Sequence, residues 1–207
     1  MAVCLLLIRH AESLANQEGF FAGHMDVGLS PRGHQQSQYA AEYIHAHYSV
    51  DRIFSSDLSR AMDTALPLSR ITGIETEPVP ALREIDIPCW QGISLLNIEA
   101  QWPKEWKNFR EKPDRFCIPG GETMEMLANR VESAILEIAY HSPGKTVAIY
   151  THHTPIRVLQ CRWTGRPLAG MNQVCSCPNA SLTVASEENG RIHLIRYGIN
   201  SYLPEIE

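Results

Sequence analysis

Hydrophobic positions along the chain follow two patterns. Short unbroken apolar runs occur at Val3–Ile8 (VCLLLI) and Thr146–Tyr150 (TVAIY). A strand that is apolar on both faces must be covered on both, as in a parallel sheet between layers of helix. Arg52–Ser55 is a second short strand, and residues 74–80 read as extended. The helical pattern is clearest over Thr123–Tyr140, where Leu127, Val131, Ile135 and Ile138 share one stripe. Ser30-Pro31 supplies an N-cap and a first-turn proline for a helix running to about His47. Another helix spans about Leu58 to Thr72, kinked at Pro67 and closed by Gly73. Pro155–Thr164 is a further helix. Leu182–Ala185 and Ile192–Tyr197 pair as a hairpin through Glu187-Glu188-Asn189-Gly190. Residues 88–122, with four prolines, Gly120-Gly121 and five aromatic side chains, read as irregular.

Strands that alternate with helices predict an α/β fold, three layers (α/β/α) about a mixed, mostly parallel central sheet. The closing hairpin makes the sheet mixed. No Pro/Gly/Ser linker divides the chain, so one domain over residues 1–207 is expected, with an insertion or lid at about 88–122.

Composition narrows the function. With 44% hydrophobic and 20% charged residues the chain is ordinary globular protein, long enough to bury a core without metals or disulfides. Its net charge of −5 and pI near 6.0 argue against general nucleic-acid or anionic-membrane binding, so any basic site must be local. Six cysteines without a C-x-x-C spacing read as reduced thiols. The N-terminal apolar run lacks a basic flank and a small-residue cleavage site, so it reads as a strand rather than a signal peptide. A cytoplasmic protein without nucleic-acid or membrane partners, monomer or homodimer, is the expectation.

Two of the buried strands end alike. Val3–Ile8 runs into Arg9-His10, and Thr146–Tyr150 into Thr151-His152-His153. Ligands of α/β sheets bind at the carboxyl ends of parallel strands, so Arg9, His10 and His152 should converge. Asn16 lies on the loop after the first strand, and Arg60 in the first turn of the helix after the second. Two arginines, two histidines and an asparagine suggest an anion site, because guanidinium forks match phosphate oxygens and helix N-termini add backbone donors. A neutral imidazole can attack phosphorus without first losing a proton.

Five segments, LIRHAESLAN (7–16), SSDLSRAMDTA (55–65), LREIDIPCWQG (82–92), PGGET (119–123) and YTHHTPIR (150–157), resemble the histidine phosphatase superfamily, the phosphoglycerate-mutase-like fold, in the family's order. The resemblance runs from about Val3 to Tyr197. It implies that His10 is the nucleophile and becomes a phosphohistidine, that Arg9, Arg60, His152 and Asn16 hold the phosphoryl oxygens, and that Glu84 protonates the leaving oxygen. Gly23, in AGHMD, matches a loop glycine, and Leu29-Ser30-Pro31-Arg32-Gly33 matches a second family motif. Because Glu84 must hold a proton to give one away, an activity optimum on the acidic side of neutral is expected; a rate still climbing in alkaline solution would count against that role.

The resemblance implies a metal-independent phosphatase acting on small-molecule phosphate esters, with no cofactor. A phosphoglycerate-mutase-type transferase and a catalytically impaired phosphate-binding protein are the alternatives. The 68 residues from Glu84 to His152 are short for a mutase insertion. Three departures bear on substrate and rate: Ala11 replaces a frequent Gly, Pro88 stands where the phosphatase form usually has Gly, and His153 stands where Gly usually follows the second histidine. His153 is accordingly a candidate pocket residue. Residues 94–118 are expected to form the lid or substrate wall, with Phe20, Phe21 and His24 as a candidate opposite wall; the lid aromatics Trp102, Trp106 and Phe109 read as partial core ahead of substrate stackers.

Overall fold

The computed structural model describes residues 1–204; residues 205–207, the end of the expected domain, lie outside the described residues. Strands β1 (Val3–Arg9), β2 (Arg52–Ser55), β3 (Thr76–Pro78), β4 (Thr146–Thr151), β5 (Leu182–Glu188) and β6 (Arg191–Ile199) form one sheet ordered β3-β2-β4-β1-β5-β6. β1, β2, β3 and β4 run parallel; β5 pairs antiparallel with β1, and β6 antiparallel with β5, so only β5 runs against the others and the sheet is mixed and mostly parallel.

The apolar run of β1 is explained by its neighbours. Val3, Leu5 and Leu7 face one core, with Leu127, Val131 and Ile135 of helix α6 (Met124–Tyr140) and Val158 and Leu159 of helix α7 (His153–Trp163). Leu6 and Ile8 face the other, with Ala41 and Ile44 of helix α2 (Pro31–His47) and Ala65 and Leu68 of helix α3 (Ser59–Thr72). Each fully buried Leu or Ile contributes roughly 1.5–3 kcal/mol, which fixes the strand between two helix layers.

Several boundaries move, each for a local reason. Helix α2 opens as expected, with the Ser30 hydroxyl accepting from Gly33 N–H and Pro31 in the first turn. Helix α3 runs on through Pro67 and stops at Gly73, whose φ of 72° is the left-handed stop that glycine allows. Helix α7 starts two residues before the expected Pro155, which makes His152 its capping residue. The hairpin strands are longer than expected. Only Asn189-Gly190 turns between them, both at positive φ (55° and 78°), the geometry of a tight two-residue turn.

The segment 88–122 is not irregular. It contains α4 (Leu95–Gln101), capped by Ser94, and α5 (Pro103–Glu111), opened by Pro103. These helices are short and adjoin at Trp102, so neither shows a long periodic stripe. Trp90, Trp106 and Phe116 of this segment are buried, with Trp90 packed edge-on against Phe21 at 5.6 Å and Trp106 at 5.8 Å. These aromatics build core, the reading favoured for the lid aromatics, while Trp106 also reaches a groove at the surface. A third short helix without a counterpart in the sequence pattern is α1 (Leu14–Glu18), capped by Ser13.

Candidate active site

The sheet register assembles the site. β1 and β4 align Arg9 with Thr151, so the next residues of both strands, His10 and His152, lie side by side with ring centroids 5.1 Å apart. His10 N–H donates to the Thr151 carbonyl at 2.8 Å, extending the ladder by one bond. Beyond β2, Ser56 N–H donates to the Tyr150 carbonyl at 2.8 Å, bringing the start of α3 and Arg60 to the same edge.

His10 is almost fully buried, and its tautomer is set by its partner. Nδ1 lies 2.7 Å from the Ala11 carbonyl, which can only accept, so Nδ1 carries the hydrogen and Nε2 keeps its lone pair. Burial, and then the charges of Arg60 and Arg9, push the imidazole well below the usual histidine range. The ring is therefore neutral, with Nε2 free to act as a nucleophile. The Ala11 N–H is held in turn by Thr64 Oγ1 at 3.0 Å.

Arg60 is buried and Arg9 half-buried, and neither forms an ion pair with a carboxylate among the described residues. Arg60 is anchored through Nη1 to the Met25 carbonyl (3.0 Å) and through Nη2 to the Gly23 carbonyl (2.8 Å). Gly23 thus stands behind Arg60, at φ 53°, where a Cβ would meet the Phe21 ring at 3.0 Å. Arg9 donates from Nη1 to the Cys177 carbonyl at 2.9 Å, and burial lowers its guanidinium to about 10. A buried positive charge held only by carbonyls is costly unless an anion completes it.

His152 is fully buried, and Nε2 lies 2.8 Å from Ser56 Oγ. Its Nδ1 has no hydrogen-bond partner among the described residues. When the serine hydroxyl donates to Nε2, Nδ1–H is a donor free for an oxyanion. Glu84 is partly buried; Oε1 accepts from Ile85 N–H at 2.8 Å and Oε2 from Thr154 N–H, in the first turn of α7, at 3.3 Å. Its negative charge acts on both Arg9 and Arg60, which places it at the same centre.

Asn16 and His153 stand further out. Asn16 Oδ1 accepts from Ser13 N–H (3.2 Å) and Asn179 Nδ2 (3.1 Å), closing the start of α1 and leaving its own Nδ2 outside these bonds. His153 lines a groove of about 910 Å³ with Trp106, Lys107, Arg110 and Arg157, and burial lowers its imidazole to about 3. Phe21 packs in the core, whereas His24 Nε2 donates to the Glu84 carbonyl at 2.8 Å. The sequence pattern assigns no role to Ser56, Thr64, Thr154 or Cys177: Thr64, Thr154 and Cys177 act on or through backbone groups, which leave no mark in spacing, and Ser56 meets His152 only across 96 residues of chain. Among the described residues no group of three or more His, Cys, Asp or Glu is placed to hold a metal ion, and no helix is long and apolar enough to cross a membrane.

A mixed α/β sheet with an anion cradle and a free imidazole nitrogen at its carboxyl edge defines a phosphoryl-handling class of domain. The chain belongs to the histidine phosphatase superfamily (branch 1), whose family model matches residues 5–200. It is 30% identical over 203 residues to phosphoserine phosphatase 1 of Hydrogenobacter thermophilus, covering 98% of this chain and 95% of that one. Among solved structures, Bacillus stearothermophilus YhfR superimposes with a TM-score of 0.93 at 25% identity, over 97% of this chain and 98% of that one. A mycobacterial glucosyl-3-phosphoglycerate phosphatase complexed with VO3 gives a TM-score of 0.88 at 28% identity, covering 95% and 99%.

Proposed function

We propose that this protein is a metal-independent phosphatase that hydrolyses small-molecule phosphate monoesters through a phosphohistidine at His10. The observation that carries the reading is a neutral imidazole, its Nε2 lone pair free, beside a buried Arg60 and a half-buried Arg9 that form no ion pair with a carboxylate among the described residues. Hydrolysis also accords with relatives named as phosphatases.

In the first step His10 Nε2 forms a bond to phosphorus while the P–O bond to the alcohol breaks. Glu84 gives its proton to the departing oxygen, and the imidazole gains positive charge on bonding to the PO₃ group. The Ala11 carbonyl at Nδ1–H steadies that charge. Arg9, Arg60 and His152 Nδ1 hold the equatorial oxygens, where charge is stabilised most effectively by fixed donors. In the second step water attacks phosphorus, Glu84 accepts its proton, and the N–P bond breaks to free phosphate and His10. A positioned acid of this kind contributes ~10²–10⁴-fold.

Rapid quenching with a ³²P-labelled ester is the test. The expected result is an acid-labile, alkali-resistant label on wild type that His10→Ala lacks. Turnover by wild type without such an adduct, or undiminished turnover by His10→Ala, overturns the reading.

A further inference from the structure

The PGGET segment has no task in the chemistry above, yet its glutamate is half of a latch on the loop that carries Glu84. Arg130, in the second turn of α6, uses all five N–H donors of its guanidinium. Nε donates to Glu122 Oε1 at 2.9 Å, and Nη2 to Glu122 Oε2 at 2.8 Å. The second Nη2 hydrogen reaches the Glu84 carbonyl at 3.2 Å. Nη1 donates to the Ala81 carbonyl at 2.8 Å and the Arg83 carbonyl at 3.1 Å. Glu122 adds a grip of its own: Oε2 accepts from Asp86 N–H at 3.2 Å, and Glu122 N–H donates to the Asp86 carbonyl at 2.7 Å. Residues 81, 83, 84 and 86 are thereby fixed from one side.

We propose that Arg130 and Glu122 are positioning residues for proton transfer by Glu84, acting through the backbone on either side of it. The pair is mostly buried, with side-chain exposures of 25% and 11%. Buried ion pairs are poor sources of stability, and apolar residues of like volume would join α6 to the loop as well. What apolar residues cannot do is fix successive carbonyls in direction. A guanidinium fork can, and an acid within hydrogen-bond reach of a leaving oxygen needs that accuracy. Neither residue forms a hydrogen bond or ion pair with Arg9, His10, Arg60 or His152 among the described residues. This inference rests on Glu84 being the proton donor, and its test separates the two.

The readout is kcat/KM, which covers steps through phosphoryl transfer to His10, on two esters of different leaving group. 4-Nitrophenyl phosphate releases a stable phenolate and needs little protonation; a simple alkyl phosphate needs the proton. Glu84→Gln should lose far more on the alkyl ester than on the aryl ester. Arg130→Met should show the same selectivity in smaller size, roughly 10-fold or more on the alkyl ester against ~3-fold or less on the aryl one, a fraction of the whole acid contribution. Glu122→Gln, close in shape, is the second variant should Arg130→Met fold poorly, and should lose in the same selective way. Arg130→Lys, with three donors, should recover part of the alkyl rate.

Equal losses on both esters in Arg130→Met or Glu122→Gln, with Glu84→Gln selective, would overturn the inference and leave only a structural role. Unchanged rates in these variants would overturn it too. A Glu84→Gln variant without selectivity would overturn the proton-donor reading itself, and this inference with it.

Discussion

Arg60 illustrates how one side chain is committed twice. Its two Nη atoms are held by the Gly23 and Met25 carbonyls, and under the proposed function the same planar group also faces the phosphoryl oxygens. A lysine in its place keeps the charge but offers a single nitrogen at the end of a flexible chain. It cannot hold both carbonyls and an oxyanion at once. Arg60→Lys should therefore reduce kcat/KM for phosphate esters by ~10²-fold, the size seen when one fixed donor to a developing oxyanion is lost. Steady-state kinetics on 4-nitrophenyl phosphate measure it, and a wild-type rate would remove Arg60 from the anion site. Asp57 meets the neighbouring Arg83 in a bidentate pair, so Arg83 is neutralised by a carboxylate while Arg60 forms no ion pair among the described residues.

At the scale of elements, the start of α2 props the loop that follows His10. Ser30 N–H donates to the Glu12 carbonyl at 2.9 Å, and Glu12 N–H donates to Gln36 Oε1 at 2.9 Å. Gly33 permits this approach: a Cβ there would lie 2.0 Å from the Glu12 carbonyl oxygen. Two effects compete in Gly33→Ala. Helix propensity favours alanine by about 1 kcal/mol. Forcing the helix off a backbone oxygen costs about 1–3 kcal/mol, and backbone cannot swing aside as a flexible side chain can. The clash should win, giving a net loss of stability in denaturant unfolding and a slower enzyme; a variant as stable as wild type would show that the loop gives way freely. The same contrast explains what was legible from sequence. Val3–Ile8 and Thr146–Tyr150 announced buried parallel strands because both faces are covered, and their shared ends announced Arg9, His10 and His152. Helices α4 and α5 were hidden because they are short and meet at Trp102-Pro103. The Arg130 latch was hidden because five of the groups it holds on the Glu84 loop are backbone carbonyls or N–H, which have no residue type to read.

For the whole molecule, burying His10 and His152 and half-burying His153 beside two arginines makes stability depend on pH and on anions. His10, His152 and His153 are all pushed below the ordinary histidine range, first by burial and then by neighbouring positive charge, His153 to about 3. In the unfolded chain each takes a proton near pH ~6.5. The unfolded state thus binds more protons below that value, so stability is fully present above it and is lost as pH falls. Each group adds a slope of up to ~1.4 kcal/mol per pH unit, and for His153 the loss continues to about pH 3. Between pH 7 and 5.5 ordinary carboxylates, with values of ~3.9–4.3, scarcely titrate, so the histidines dominate that window. Under the proposed function, an oxyanion held by Arg9 and Arg60 would bind the native state alone and offset the positive charge that opposes protonation of these rings. The melting temperature should fall steeply from pH 7 to 5.5, and millimolar inorganic phosphate or vanadate should flatten the fall. His153→Gln should make the slope shallower by one proton. A melting temperature that is level across this window would mean that the rings are already charged in the folded protein, and a neutral His10 could then not be the group that meets phosphorus.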